Sequence, residues 1–348
     1  MKTLAAVLYE NAAPLDLREV EIPSLERGQT LVRILYSGVC HTQLNQIYGL
    51  KGQDKNIPRL MGHEGSAIVE DVGEGVTKVK RGDYVVLSWL KGYGIEKRSS
   101  TYMWGNKPIN SGPVTTFAEK AVVAEANLAK LSNRDIPPDA AALLGCAIPT
   151  GTGMVFNLLD DIPGKSIAIY GVGGVGSSAL LGAKARGYSP IFAVDISQRK
   201  LEHAIDLGAT HAINARDTNP LAEIMRLTDG KGVDFAIESA GTTRTMEMAF
   251  KSLKNRVGKA VIAGNVKKGE MISIDPDDLN QGKKLLGTFG GETHLDRDVP
   301  VYERLYQDGK LPIEKLISRV YDLKEINAAL DALKNGELCR PLIKISSN

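Results

Sequence analysis

Ile167-Ala168-Ile169-Tyr170-Gly171-Val172-Gly173-Gly174-Val175-Gly176 decides how the middle of this chain folds. An apolar run enters a G-x-G-x-x-G turn, and an Ala/Leu-rich stretch follows at once. Strand, glycine turn and helix in that order predict a dinucleotide-binding βαβ unit. Gly171 permits the tight turn, Gly173 leaves no side chain where a pyrophosphate must approach, and Gly176 lets the helix pack close to the strand. Gly174 and Val175 complete a loop whose free N–H groups meet phosphate at the positive end of the helix dipole. The next apolar run ends in Asp195, about 20 residues past the glycines, where an acid accepts hydrogen bonds from the adenosine ribose. A carboxylate there repels a 2′-phosphate, so NAD is expected in preference to NADP. Lys200 lies a turn into the next helix and can add a ribose contact, whereas Arg199 is the residue type that would suit NADP. Asp195 could instead simply cap the helix after it.

Outward from this loop the rhythm persists. Apolar runs at Ser166–Tyr170, Ile191–Val194, Val233–Ile237 and Ala260–Ile262 alternate with helical stretches at Val175–Ala185, Arg199–Leu207 and Thr243–Leu253. Such alternation predicts a doubly wound parallel sheet over 147–288. Residues 1–146 read differently. Short alternating runs (Thr30–Tyr36, Gly65–Val72, Tyr84–Ser88) broken by Gly, Pro and Asp predict a mostly antiparallel β-barrel or sandwich. Leu90–Pro113 shows no period and reads as a long surface loop. The segment 289–348, with helices near Val301–Gln307 and Leu323–Lys334 and a strand at Pro341–Ile345, is expected to return to the first domain. The fold class is therefore α/β with a second, β-barrel domain.

With 348 residues, 43% of them hydrophobic and 24% charged, the chain has the balance of a soluble two-domain enzyme. A net charge of +2 and no basic stripe with interleaved aromatics argue against a nucleic-acid partner. No apolar run approaches the ~20 residues of a membrane helix, and the N-terminus has no signal-peptide pattern. Three widely spaced cysteines do not make a disulfide framework, so a reducing, cytoplasmic setting is expected. Cys339, between leucines, reads as a plain buried thiol.

Cys40, His63 and Cys146 stand in three separate segments. Should they converge, two sulfurs and an imidazole would suit zinc with its fourth position open to water or an alcohol. Taken singly, each is more often an inert core residue.

Those segments resemble the medium-chain zinc alcohol dehydrogenases over essentially the whole chain. The likeness is carried by Gly38-Val39-Cys40-His41-Thr42, Gly62-His63-Glu64-Gly65, Cys146 with Thr150-Gly151, the Gly171–Gly176 loop, Asp195, Phe289-Gly290-Gly291 and Arg340. It implies a GroES-like barrel joined to a Rossmann sheet, and one catalytic zinc held by Cys40, His63 and Cys146. It implies Glu64 as the acid beside the metal and Thr42 as the hydroxyl taking the alcohol proton. His41 and Arg340 would contact the cofactor pyrophosphate, Thr150 the nicotinamide, and Trp89 and Phe117 the substrate. The implied reaction is hydride transfer between a primary or secondary alcohol, polyols included, and NAD. The partner is then a small-molecule alcohol or carbonyl, and the chain a homodimer or homotetramer.

Three departures stand out. Gln43 replaces an Asp beside the metal; it can still bond His63 but brings no charge, leaving a more positive site. Asn45 replaces a titratable His. Leu90–Pro113 lacks the four cysteines of a structural zinc, although its Lys91, Lys97, Arg98, Lys107, Tyr93, Tyr102 and Trp104 suggest a wall able to attract anionic substrates. Alternatives are a zinc-free NADPH enone or quinone reductase of the same superfamily, which the thiols oppose, and a non-catalytic nucleotide- or metal-binding protein.

Overall fold

A computed structural model of the chain describes every residue except 51, 53, 337, 347 and 348. Two compact units emerge. One comprises Met1–Cys146, His294–Gln307 and Ile317–Asn348; the other comprises Ala147–Thr293 and Asp308–Leu316. The C-terminal segment is thus divided, with 289–293 and 308–316 in the second unit rather than all of 289–348 in the first.

The first unit holds a closed five-stranded barrel and a seven-stranded sheet. The sheet is organised by Gln29–Gly38, ten residues with eight buried, which pairs with Glu64–Val72, Lys120–Ala124 and Pro341–Lys344. Its register places Ser37 opposite Gly65 and Gly38 opposite Leu342. Tyr84–Ser88 lies beyond, with Ser88 opposite Glu64. Three segments distant in sequence are therefore brought to one end of one sheet by backbone pairing alone.

Leu90–Pro113 is not a featureless loop. Thr101–Trp104 and Lys107–Asn110 form an antiparallel hairpin that closes the barrel. Tyr102 and Ile109, directly opposed, are both fully buried. The four-residue strands are too short for a period to register, but the two-residue Gly105-Asn106 connection, with Gly105 at φ +56°, was the legible signal.

The second unit is a six-stranded parallel sheet in the order His211–Asn214, Ile191–Asp195, Ile167–Tyr170, Phe235–Glu238, Lys259–Ile262, Lys284–Gly287. The strand order reverses between Ile167–Tyr170 and Phe235–Glu238, the switch point outside whose carboxyl ends such sheets bind ligands. The turn after Ile167–Tyr170 is the glycine loop, and the helix Gly174–Ala185 buries eight residues beneath it. Among the described residues no single helix is long and apolar enough to cross a membrane.

Candidate active site

Cys40 caps the short helix His41–Ile47 immediately after the central strand. His63 precedes Glu64–Val72, and its carbonyl accepts the Trp89 N–H at 3.1 Å. Gly62, at φ +93°, turns the chain just before it; a Cβ there would lie 2.4 Å from Thr116 Oγ1. Cys146 follows Gly145, whose carbonyl accepts the Ser88 hydroxyl. Ser88, which also accepts the Leu90 N–H, was not legible as a positioning residue, since nothing marks a lone serine at a strand end.

The three side chains converge: their ligand atoms all lie within 4.8 Å of one another. His63 Nε2 is buried, and the ring sits against the Cys40 thiol, with which it shares a hydrogen bond. Two sulfurs and an imidazole nitrogen fit zinc, and among the described residues the cluster holds no fourth protein ligand. Cys40 and Cys146 share a hydrogen bond. That bond holds the Cys40 thiol well below its usual value, helped by the Arg340 charge and opposed by burial. The same bond, with burial, raises Cys146. One sulfur is thereby biased toward the thiolate that a metal requires.

Glu64 and Arg340 stand directly behind this set. Arg340 Nη2 donates to Glu64 Oε1, and both side chains are buried. Burial raises the Glu64 carboxyl, partly offset by Arg340. Burial would lower the Arg340 pKa, but Glu64, Cys40 and Cys146 overrule it and raise it. Gly38 makes room, because a Cβ would sit 2.3 Å from Glu64 Oε1. Gln43, fully buried, accepts the Cys40 N–H through Oε1 at 2.7 Å, with Nε2 2.9 Å from His63 Nδ1.

Thr42 and Asn45 are half-buried on the same helix, and His41 is exposed. Trp89 is half-buried. Phe117 is fully buried in a core with Ala6, Leu8, Val39 and Met61. Tyr102 is barrel core, its hydroxyl accepting the Val122 N–H, so it forms no part of an exposed loop wall. Of the expected basic face, Lys91 pairs with Glu96 and Lys97 with Glu26, which offsets two of its four charges, while Lys107 lies over the Trp104 ring. Cys339 is half-exposed rather than buried.

In the second unit, Gly171 has φ +85°, and a Cβ there would meet Ala240 N at 2.6 Å. A Cβ at Gly176 would lie 1.9 Å from the Gly171 carbonyl oxygen. A Cβ at Gly173 would meet nothing within 4 Å, which leaves a cradle a phosphate can enter. Gly173 also precedes the helix Gly174–Ala185, with Gly174 and Val175 in its first turn. Asp195 accepts the Val172 N–H at 3.0 Å and the Ser197 N–H at 3.0 Å, tying the acid to the loop. Lys200 is half-buried on the helix Gln198–Leu207. Thr150 Oγ1 is buried without a partner.

Known proteins agree with this geometry. Residues 26–133 match the family model "Alcohol dehydrogenase GroES-like domain", and residues 174–306 match "Zinc-binding dehydrogenase". The chain is 33% identical to alcohol dehydrogenase 1 of Trifolium repens, over 99% of this chain and 97% of the relative. It is 32% identical to S-(hydroxymethyl)glutathione dehydrogenase of Synechocystis, over 99% and 100%. The crystal structure of benzyl alcohol dehydrogenase from Acinetobacter calcoaceticus superposes with a TM-score of 0.91 at 33% identity, covering 99% of this chain and 100% of that one. Two thiols and an imidazole gathered for zinc, a nucleotide loop on a doubly wound sheet, and full-length likeness lead to one conclusion: the chain belongs to the zinc-dependent alcohol dehydrogenase family, acting on small-molecule alcohols or carbonyls with a nicotinamide nucleotide.

Proposed function

We propose that this enzyme transfers hydride between a primary or secondary alcohol, polyols included, and NAD in preference to NADP. The observation that carries the reading is the convergence of Cys40, His63 and Cys146. Zinc held there supplies a Lewis acid that acidifies an alcohol or polarises a carbonyl, and the nicotinamide supplies the hydride acceptor or donor.

The chain's own residues position the rest. Thr42 takes the alcohol proton and passes it outward; Asn45 cannot titrate, so the proton leaves to water. Glu64, tied to Arg340, sets the charge behind the sulfurs. His41 and Arg340 are proposed for the cofactor pyrophosphate, Arg340 through donors its Glu64 pair leaves over. Gly171, Gly173, Gly174, Val175 and Gly176 cradle the phosphates. Asp195 and Lys200 hold the ribose, and the negative charge of Asp195 supports NAD. Thr150, with its unpartnered hydroxyl, is assigned to the nicotinamide and Trp89 to the substrate.

The unit bearing the metal set is thus the catalytic domain, and the glycine-loop unit the dinucleotide-binding domain. A cytoplasmic location suits thiols that must stay reduced. A homodimer or homotetramer is supported by the outer edge of Lys284–Gly287, which no strand among the described residues covers, and by exposed Met271 and Leu279 in the same unit. NADH absorbance with a panel of alcohols and polyols, against NAD and NADP, tests the reading. Turnover with NAD that a chelator abolishes and zinc restores is expected. Chelator-insensitive turnover, or NADP preference, would contradict it.

A further inference from the structure

Gln43 presents a hydrogen-bond conflict that zinc would expose. It is the third residue of the helix His41–Ile47, and its side chain reaches back to two partners. Oε1 accepts the Cys40 backbone N–H at 2.7 Å, and Nε2 lies 2.9 Å from His63 Nδ1. A backbone N–H can only donate, so it claims the amide oxygen. The NH2 group, also donor-only, then faces His63 Nδ1, which must accept. A neutral imidazole keeps one proton, and that proton is left on Nε2. Nε2 is the buried ring atom on the side of the sulfurs, and its lone pair is what a metal would need. Ligation therefore requires the proton on Nδ1, where it would point at the NH2 group. Turning the amide over does not help, because the NH2 group would then face the Cys40 N–H. In either orientation a ligated His63 leaves one donor facing another. Metal-binding imidazoles ordinarily donate their second N–H to a carboxylate or carbonyl, and disturbing that partner typically costs about 10- to 100-fold in metal affinity.

We propose that Gln43 weakens this chain's hold on zinc, because its amide offers one acceptor where the occupied site needs two. The inference rests on Cys40, His63 and Cys146 holding zinc. It makes Gln43 a positioning residue that sets the His63 tautomer and renders the metal exchangeable. A carboxylate of the same length would accept both N–H groups at once.

The test compares the full-length wild type with Gln43→Glu. Zinc affinity is measured by competition with a chelator of known strength, and Gln43→Glu is expected to bind about 10- to 100-fold more tightly. A second measurement needs no variant: ¹⁵N NMR of the metal-free wild type labelled at its five histidines. His63 is expected as the Nε2–H tautomer. Equal zinc affinity in both proteins, or an Nδ1–H tautomer in the metal-free wild type, would overturn the inference while leaving the metal site standing. Failure of both proteins to bind zinc would overturn the metal reading itself, and this inference with it.

Discussion

Arg340 and Glu64 form an ion pair almost wholly withdrawn from water. Breaking a buried pair by deleting one member strands the other charge, at a cost of about 3–5 kcal/mol. Arg340→Met is therefore expected to destabilise the metal-free chain by that amount in urea unfolding; a loss under about 1 kcal/mol would show that water reaches Glu64. The residue types of the metal set were legible in the sequence, because Cys and His carry their chemistry with them. The placement of Arg340 behind Glu64 was not. The two are 276 residues apart, and only the pairing of Pro341–Lys344 with Gln29–Gly38 brings them together. Gln43 was legible as a substitution beside the metal, but its divided hydrogen bonding was not, since it depends on where the fold sets the Cys40 N–H and the His63 ring.

At the scale of elements, the glycine loop and the hairpin make opposite demands. Gly176→Ala drives a methyl into the Gly171 carbonyl, so both stability and nucleotide binding should fall. Gly173→Ala meets no protein atom, so the melting temperature should stay near wild type while nucleotide affinity drops. Calorimetric titration with NAD alongside thermal melts separates the two, and unchanged affinity in Gly173→Ala would remove that position from the phosphate cradle. The loop was readable because glycine spacing, strand and helix all point the same way. The hairpin was not, since its worth lies in closing a barrel through Tyr102 and Ile109. Tyr102→Phe deprives the buried Val122 N–H of its acceptor and should cost about 1–3 kcal/mol. Wild-type stability in that variant would place water at Val122.

At the scale of the molecule, strand-and-helix alternation showed a parallel, doubly wound sheet in the nucleotide unit, and short broken runs showed the β-barrel character of residues 1–146, but the strand order emerges only from the pairing. The division of 289–348 between units followed from tertiary contacts that no periodicity encodes. Stability of the nucleotide unit carries a pH signature. Asp234 is held at about 2, below its ordinary 3.8: burial alone would raise it, but Lys254 and the Ser166 N–H and hydroxyl overrule burial. A depressed carboxylate stabilises the fold above its ordinary value and ceases to do so as pH falls through 2. The contribution is about 2 kcal/mol. Asp234→Asn should thus be less stable at pH 5 by about that amount, with the difference closing toward pH 2. A difference independent of pH would contradict it. Cys40, His63 and Cys146 are proposed to hold a catalytic ion through two sulfurs and one imidazole. Zinc-edge X-ray absorption of the loaded protein reads those neighbours without recourse to turnover. Two sulfur neighbours at about 2.3 Å, with nitrogen and oxygen at about 2.0–2.1 Å, are predicted. A shell of four sulfurs, or one with none, would rule out ligation by this set.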